Sequence, residues 1–282
     1  MQVSDFCTQV ADGIFQVKLP LPFALNIVNV YLLRDGDGWA LIDTGLNTAE
    51  ARAAWEAVFV YLNITPRQIT RILLTHMHPD HYGMSGWFQS LDPAYAPPLY
   101  MSAREAELAR LIWYNEGQML PRLRVQMSAG GMPAEQVDTV IDGMEFTAQH
   151  TQPLPSTPHI LEAGGGVTIG ARRFTLFHAP GHSDGQLLFY DAADRLMLSG
   201  DHVLMKITPN IGVWPDTEPD PLGRFLDSLR GLRGLDVRLA LPGHKALITD
   251  WRGRIDELLS HHAMRLEHTR AAIADGATIF EA

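Results

Sequence analysis

Thr75-His76-Met77-His78-Pro79-Asp80-His81 sets four metal-binding side chains within six residues, directly after the short run Arg71-Ile72-Leu73-Leu74. Neutral imidazole nitrogens and a carboxylate suit zinc or a similar first-row ion. Buried together without a cation, three histidines and an aspartate would desolvate and repel one another. A cation removes that conflict. The stretch therefore reads as a metal site at the end of a short buried strand, and as the carrier of the protein's chemistry.

Strand patterns lie upstream of it. Gly13-Ile14-Phe15-Gln16-Val17-Lys18-Leu19 alternates with the period of a strand. Asn29-Val30-Tyr31-Leu32-Leu33 and Trp39-Ala40-Leu41-Ile42 flank Asp35-Gly36-Asp37-Gly38, a hairpin turn signal. Asp43-Thr44-Gly45 ends the second of these strands. Residues 48–62 then keep Trp55, Val58 and Phe59 on one side of a helix. A β-β-α-β opening of this kind predicts an α/β layered fold.

Downstream, the grammar changes. Ser102-Ala103-Arg104-Glu105 predicts a capping box, followed by a helical pattern through Leu108, Leu111, Ile112 and Trp113. Gly117 and Pro121 punctuate it, a second helix is expected over residues 123–127, and a third after Pro133. Residues 94–159 are thus expected to be a helical insertion. It would serve as a lid or pocket wall, or else as an outer layer or dimer surface. Apolar runs at Val167-Thr168-Ile169, Phe174-Thr175-Leu176-Phe177, Leu187-Leu188-Phe189-Tyr190, Leu196-Met197-Leu198 and Arg238-Leu239-Ala240-Leu241 predict further strands. Helices are expected over residues 220–232 and 250–275, the latter inside a C-terminal helical region, 246–282. There is no short-period repeat, and residues 1–282 read as a single domain.

Composition narrows the classes. The 282 residues are 46% hydrophobic and 19% charged, with a formal net charge of −10. An acidic total weighs against a nucleic-acid partner. The single cysteine, Cys7, excludes an intrachain disulfide. Residues 1–13 show no cationic start leading into an apolar core, so no secretory signal is read and a cytoplasmic protein is expected. The most apolar stretch, 19–33, is too short and too interrupted to span a membrane.

Three further segments stop a strand abruptly at a ligand type: Pro180-Gly181-His182, Ser199-Gly200-Asp201 and Pro242-Gly243-His244. In each, a glycine immediately precedes the ligand candidate, where the chain must turn tightly. Taken singly, His244 reads as a surface-loop histidine, Asp201 as a turn former and Asp43 as a cap. Their joint appearance in this order reverses those readings. His150, His159, His178, His202, His261 and His262 fall outside the pattern.

The ordered set His76-x-His78-x-Asp80-His81, then His182, Asp201 and His244, resembles the metallo-β-lactamase superfamily of metal-dependent hydrolases, and Asp43 in Leu41-Ile42-Asp43-Thr44-Gly45 matches a further family landmark. The resemblance covers residues 13–245. It implies a four-layer αβ/βα sandwich of two mixed β-sheets flanked by helices, with a two-metal centre at one edge. It implies that His76, His78 and His182 hold one ion, that Asp80, His81 and His244 hold the second, and that Asp201 bridges them. Asp43 would orient a ligand imidazole. The cofactors implied are two zinc ions, with iron or manganese as alternatives. Asp80 and Asp201 would be catalytic, with a metal-bridging hydroxide as nucleophile.

The substrate class follows from resemblance to the glyoxalase II-like (hydroxyacylglutathione hydrolase-like) branch: a small ester-like bond, first a thioester of glutathione or coenzyme A. Arg252, Arg254, Arg265 and Arg270 are candidates for an anionic substrate tail, or else a solvated helix face with Glu257 and Glu267. A lactonase is the nearest rival, although the tyrosine expected soon after the bridging aspartate is missing. A mononuclear iron oxygenase resembling the persulfide dioxygenases, a ribonuclease and a non-enzymatic metal-binding protein are the remaining alternatives. Trp113, Tyr114, Met119, Met205 and Trp214 are candidates for an apolar substrate pocket, with core packing as the other reading. The expected partner is a small molecule, and exposed apolar helices in the insertion are compatible with a homodimer.

Overall fold

Period-two alternation lets one strand serve two cores, and β3 (Ile27–Asp35) does so. Val28, Val30 and Leu32 point into one apolar cluster, Tyr31 and Leu33 into another. The computed structural model describes residues 2–115, 118–274 and 276–281; Gly117 and Asp275 of the expectations above lie outside them. β1 (Cys7–Ala11), β2 (Ile14–Pro20), β3, β4 (Gly38–Ile42), β5 (Ile69–Leu73), β6 (Leu99–Met101) and β7 (His159–Ile160) form a seven-stranded sheet in chain order. It is antiparallel from β1 to β4 and parallel from β4 to β7. The second sheet has five strands in the order β12-β11-β10-β9-β8. These are β8 (Gly166–Ile169), β9 (Arg172–His178), β10 (Leu187–Asp191), β11 (Leu196–Gly200) and β12 (Leu239–Pro242), with only β11–β12 parallel.

The sheets face each other across a core of Leu33, Ile42 and Leu73 on one side and Phe174, Phe189 and Leu241 on the other. The outer face of the first sheet packs on α1 (Ala49–Leu62) through Trp55 and Val58. Thr48 starts that helix by accepting from the amide of Ala51, and Asn63 in the left-handed region ends it. The outer face of the second sheet packs on Phe225 and Leu229 of α7 (Pro221–Leu232) and on Ile255 and Leu258 of α8 (Trp251–Ala274). Helix, sheet, sheet and helix make the four-layer sandwich expected from the sequence.

The insertion needs correction. β6 lies within residues 94–159, β7 begins at 159, and both belong to the first sheet, so the helical excursion is narrower, 103–149. It comprises α4 (Ala103–Trp113), α5 (Met119–Ala129) and α6 (Ala134–Gln149); α5 is longer than the 123–127 expected. Met119, Leu123, Val137 and Ile141 give it a small core of its own. The capping box is only half formed. Ser102 accepts from the amide of Glu105, but the Glu105 carboxylate turns away to another task.

The arginine expectation is corrected in part. Arg254 donates to the carbonyls of Leu204 and Ile207, both at 2.7 Å, and so pins the chain after Asp201 rather than waiting for a ligand. Arg270 pairs with Glu267. Among the described residues no helix is long and apolar enough to cross a membrane.

Candidate metal centre

The two sheets are tied together at one end. Leu187 donates its amide to Thr75 O across 2.9 Å, and Asn29 donates its amide to Gly243 O across 2.6 Å. β4, β5, β11 and β12 all terminate there, and each is followed by a proposed ligand or its support. His76 and His78 follow β5. Pro79 opens the short helix α2 (Pro79–Tyr82), which carries Asp80 and His81, and α3 (Ser85–Ser90) follows it. Two glycines are required by close approach. A Cβ on Gly181, where φ is +130°, would collide with Phe225, and one on Gly243 would meet Asp201 and His81.

The side chains singled out in the sequence come together here. His76, His78 and His182 bring ligand atoms within 4.8 Å of one another; so do His76, His81 and Asp201, and so do Asp80, His81 and His244. His78 Nδ1 stands 2.8 Å from His182 Nε2. Asp201 lies between the groups. Its Oδ2 is 3.6 Å from His182 Nε2 and 3.2 Å from His244 Nε2, and its Oδ1 is 3.4 Å from His81 Nε2. Asp80 Oδ2 is 3.2 Å from His244 Nε2.

The far nitrogens of the rings are fixed by the protein. His81 Nδ1 donates to Asp43 Oδ2 at 2.8 Å. His182 Nδ1 donates to Asn210 O at 2.8 Å, and His244 Nδ1 to Ile27 O at 2.7 Å. Thr75 Oγ1 spends its proton on Asp43 Oδ2, so the 2.9 Å contact with His76 Nδ1 has the imidazole as donor. Each of these four rings therefore turns Nε2 inward. Asp43 sits at φ +58° and also accepts from the Thr75 amide.

A metal pair fits this donor set. His76 Nε2, His81 Nε2 and Asp201 Oδ1 are buried and have no hydrogen-bond partner, which is costly unless a cation completes them. Burial, reinforced by neighbouring imidazoles, drives His76 well below the ordinary histidine range and His78 down to about 3. Burial lowers His182 as well. The other subsite is richer in carboxylate. There burial opposes protonation, but Asp201 with Asp43 and Asp80 outweighs it at His81, holding it well above its usual range, and Asp201 with Asp80 does so at His244, up at about 10. Asp201 is held well below the carboxylate range; burial raises it, and His244 and His81 overcome that. One subsite thus offers three neutral imidazoles and the other two imidazoles with two carboxylates.

Glu105 was missed as a site residue. It is fully buried and accepts from the Met77 amide at 2.7 Å, the Ser183 hydroxyl at 2.6 Å and the Gly185 amide at 2.7 Å. Met77 lies between two ligands and Ser183 follows a third, so this carboxylate joins the two ligand loops. Burial pushes it up to about 7 against the pull of those donors. The sequence offered only its place in a capping pattern.

The apolar candidates divide. Trp113, Met119 and Trp214 line a cavity of about 110 Å3 that also touches His78 and His182. Trp113 Nε1 donates to Met77 O at 2.8 Å, fixing the wall to the ligand loop. Tyr114 does not line that cavity: its hydroxyl donates to Pro155 O, and it borders a different depression. Met205 packs beneath the second sheet instead.

A family model described as metallo-beta-lactamase superfamily matches residues 24–244. The chain is similar to the protein named probable metallo-hydrolase YqjP of Bacillus subtilis (strain 168), 28% identical over 269 residues, covering 92% of this chain and 80% of that protein. It is similar to acyl-coenzyme A thioesterase MBLAC2 of Homo sapiens, 28% identical over 200 residues, covering 68% of this chain and 64% of that protein. Among solved structures, the metallo-beta-lactamase family protein TTHA1429 from Thermus thermophilus superposes with a TM-score of 0.82 at 35% identity, covering 92% of this chain and 82% of that one. Several fungal relatives are longer, and the chain spans less than two thirds of their length.

Proposed function

The chain belongs to the metallo-beta-lactamase superfamily, and from that premise we propose that it is a metal-dependent hydrolase of a small ester-like bond, foremost a thioester. The observation that carries the reading is Asp201, whose two oxygens face imidazoles of both ligand groups. His76, His78 and His182 would hold one ion, Asp80, His81 and His244 a second, and Asp201 would contact both. The mixed nitrogen and oxygen donors make zinc the first choice of metal.

Bound there, a pair of divalent ions supplies Lewis-acid polarisation of the scissile carbonyl and an acidified water. The chain supplies the rest. Asp43, Thr75, Asn210 O and Ile27 O hold four imidazoles in the tautomer that turns Nε2 inward. Asp80 keeps one oxygen on His244 and would orient the attacking water. Glu105 keeps the His76 and His182 loops in register. The apolar wall beside His78 and His182 would limit water around a bound substrate, which would strengthen electrostatics inside the site. The relatives named metallo-hydrolase and acyl-coenzyme A thioesterase support hydrolysis and, within it, the thioester.

The test is a panel of thioesters, oxygen esters and lactones, run before and after chelation and after zinc is restored. Thioester cleavage lost on chelation and regained with zinc is expected. Lactone opening without thioester cleavage would make the protein a lactonase. Oxygen consumption with one iron per chain would place it among oxygenases.

A further inference from the structure

The cavity beside the first ligand group is lined by His78 and His182 but otherwise by residues outside the proposed ligand set, and its chemistry is one-sided. α4 contributes Leu108, Ile112 and Trp113, α5 Met119, α6 Met144, and the loop after Asp201 contributes Trp214. Its inner end is formed by His78 and His182, so whatever occupies it lies against the first subsite. Among the described residues no lysine or arginine lines it. Its one carboxylate, Asp184, is already engaged by Arg104 at 2.7 Å and by the Glu218 amide.

Resting on the hydrolase reading above, we propose that this cavity is an acyl pocket, taking the uncharged apolar acyl group of the substrate and setting its length. A dry apolar cavity of roughly 150 Å3 accepts benzene. At about 110 Å3 the pocket holds a chain of about four to five carbons on that scale. A carboxylate at the chain's end would be desolvated with no counter-charge to meet it. The three helices that form the wall belong to the excursion: α5 and α6 close over a small core of their own, while α4 packs Leu108 and Trp113 into the core of the first sheet. Selectivity is therefore carried by a part of the fold that supplies none of the proposed ligands, although Glu105 of α4 braces two of their loops.

The experiment is kcat/KM across N-acetylcysteamine thioesters from acetyl to octanoyl, with glutaryl against pentanoyl as a charged pair. The pocket predicts a rise of about fourfold per methylene that stops near pentanoyl, and rejection of glutaryl by about 100-fold or more. Met144→Trp should cut the pentanoyl-to-acetyl ratio by about tenfold, and Met119→Ala should move the break to longer chains. A flat length profile or a preference for glutaryl overturns the pocket. Fluorescence of Trp113 and Trp214, titrated with straight-chain amides from propanamide to octanamide, separates the two readings. Length-dependent binding without turnover of any thioester keeps the pocket and sinks the hydrolase. Binding that ignores length overturns the pocket whatever the turnover.

Discussion

The strand-end loops that carry the ligands and the helical excursion beside them are held by different forces. The loops are fixed by buried polar contacts. Asp43 alone accepts from the Thr75 amide, the Thr75 hydroxyl and His81, each at 2.8 Å. Glu105, reaching in from α4 of the excursion, accepts from three donors on two loops. The outer part of the excursion, α5 and α6, closes instead over the side chains of Met119, Leu123, Val137 and Ile141. Polar contacts in a dry site fix direction, because a misaligned donor is left unpaired at high cost. A small apolar core tolerates exchange of its members with less loss of geometry. Chemistry on the first and selectivity on the second is the division this contrast supports.

The contrast breaks most sharply at Asp201. Asp201→Ala removes the carboxylate shared by the two groups. Turnover should fall by about 1,000-fold or more with bound metal reduced, as read by kcat and elemental analysis on the same sample. Unchanged turnover would remove Asp201 from the centre. Leu123→Ala should do the opposite. It empties part of the small core at a cost of about 3 kcal/mol, exposes α5 and α6 to hydrogen exchange, and leaves metal content as it was. Loss of metal in that variant would show that the excursion supports the centre.

Asp43→Ala frees the His81 ring, and zinc affinity in a chelator competition should drop by roughly 10- to 100-fold. Glu105 sharpens the comparison through pH. Its carboxyl is raised from 4.5 to about 7 by burial, so the folded state holds its proton more tightly than the unfolded chain does. The stability this gives is fully present below pH 4.5 and is lost as pH rises through about 7. Glu105→Gln does not titrate. In chelator, the melting temperature of the parent protein relative to this variant should fall between those limits, and a parallel pair of curves would contradict the burial argument. The smallest effect is expected at the exposed Arg124–Asp138 pair joining α5 to α6. Arg124→Ala should cost under about 1 kcal/mol in thermal melts and leave substrate preference unchanged.

What the sequence revealed follows the same division. The candidate ligands stood out because they follow strand ends, with Asp80 and His81 on α2 just beyond β5, at residue types whose chemistry narrows their use, and because Gly181 and Gly243 mark close approach. The sheets were legible from alternation in β2 and from short apolar runs such as β10. β6 and β7 were not, since three and two residues are too few to show a period. Glu105 hid inside a capping pattern whose spacing fitted while its side chain served another loop. Tyr114 and Met205 illustrate the limit for pockets: an apolar residue near a site in sequence turns toward whichever core lies below it. Asn210 and Ile27 act through backbone carbonyls, which no side-chain pattern announces.

The convergence of seven donors on two ions is tested most directly by counting metal in protein purified without added metal, by elemental mass spectrometry against chain concentration, beside His182→Ala and His244→Ala. About two divalent ions per chain, with each variant losing about one, is the predicted result. One ion or none in the parent protein, or variants that keep the full complement, would contradict it.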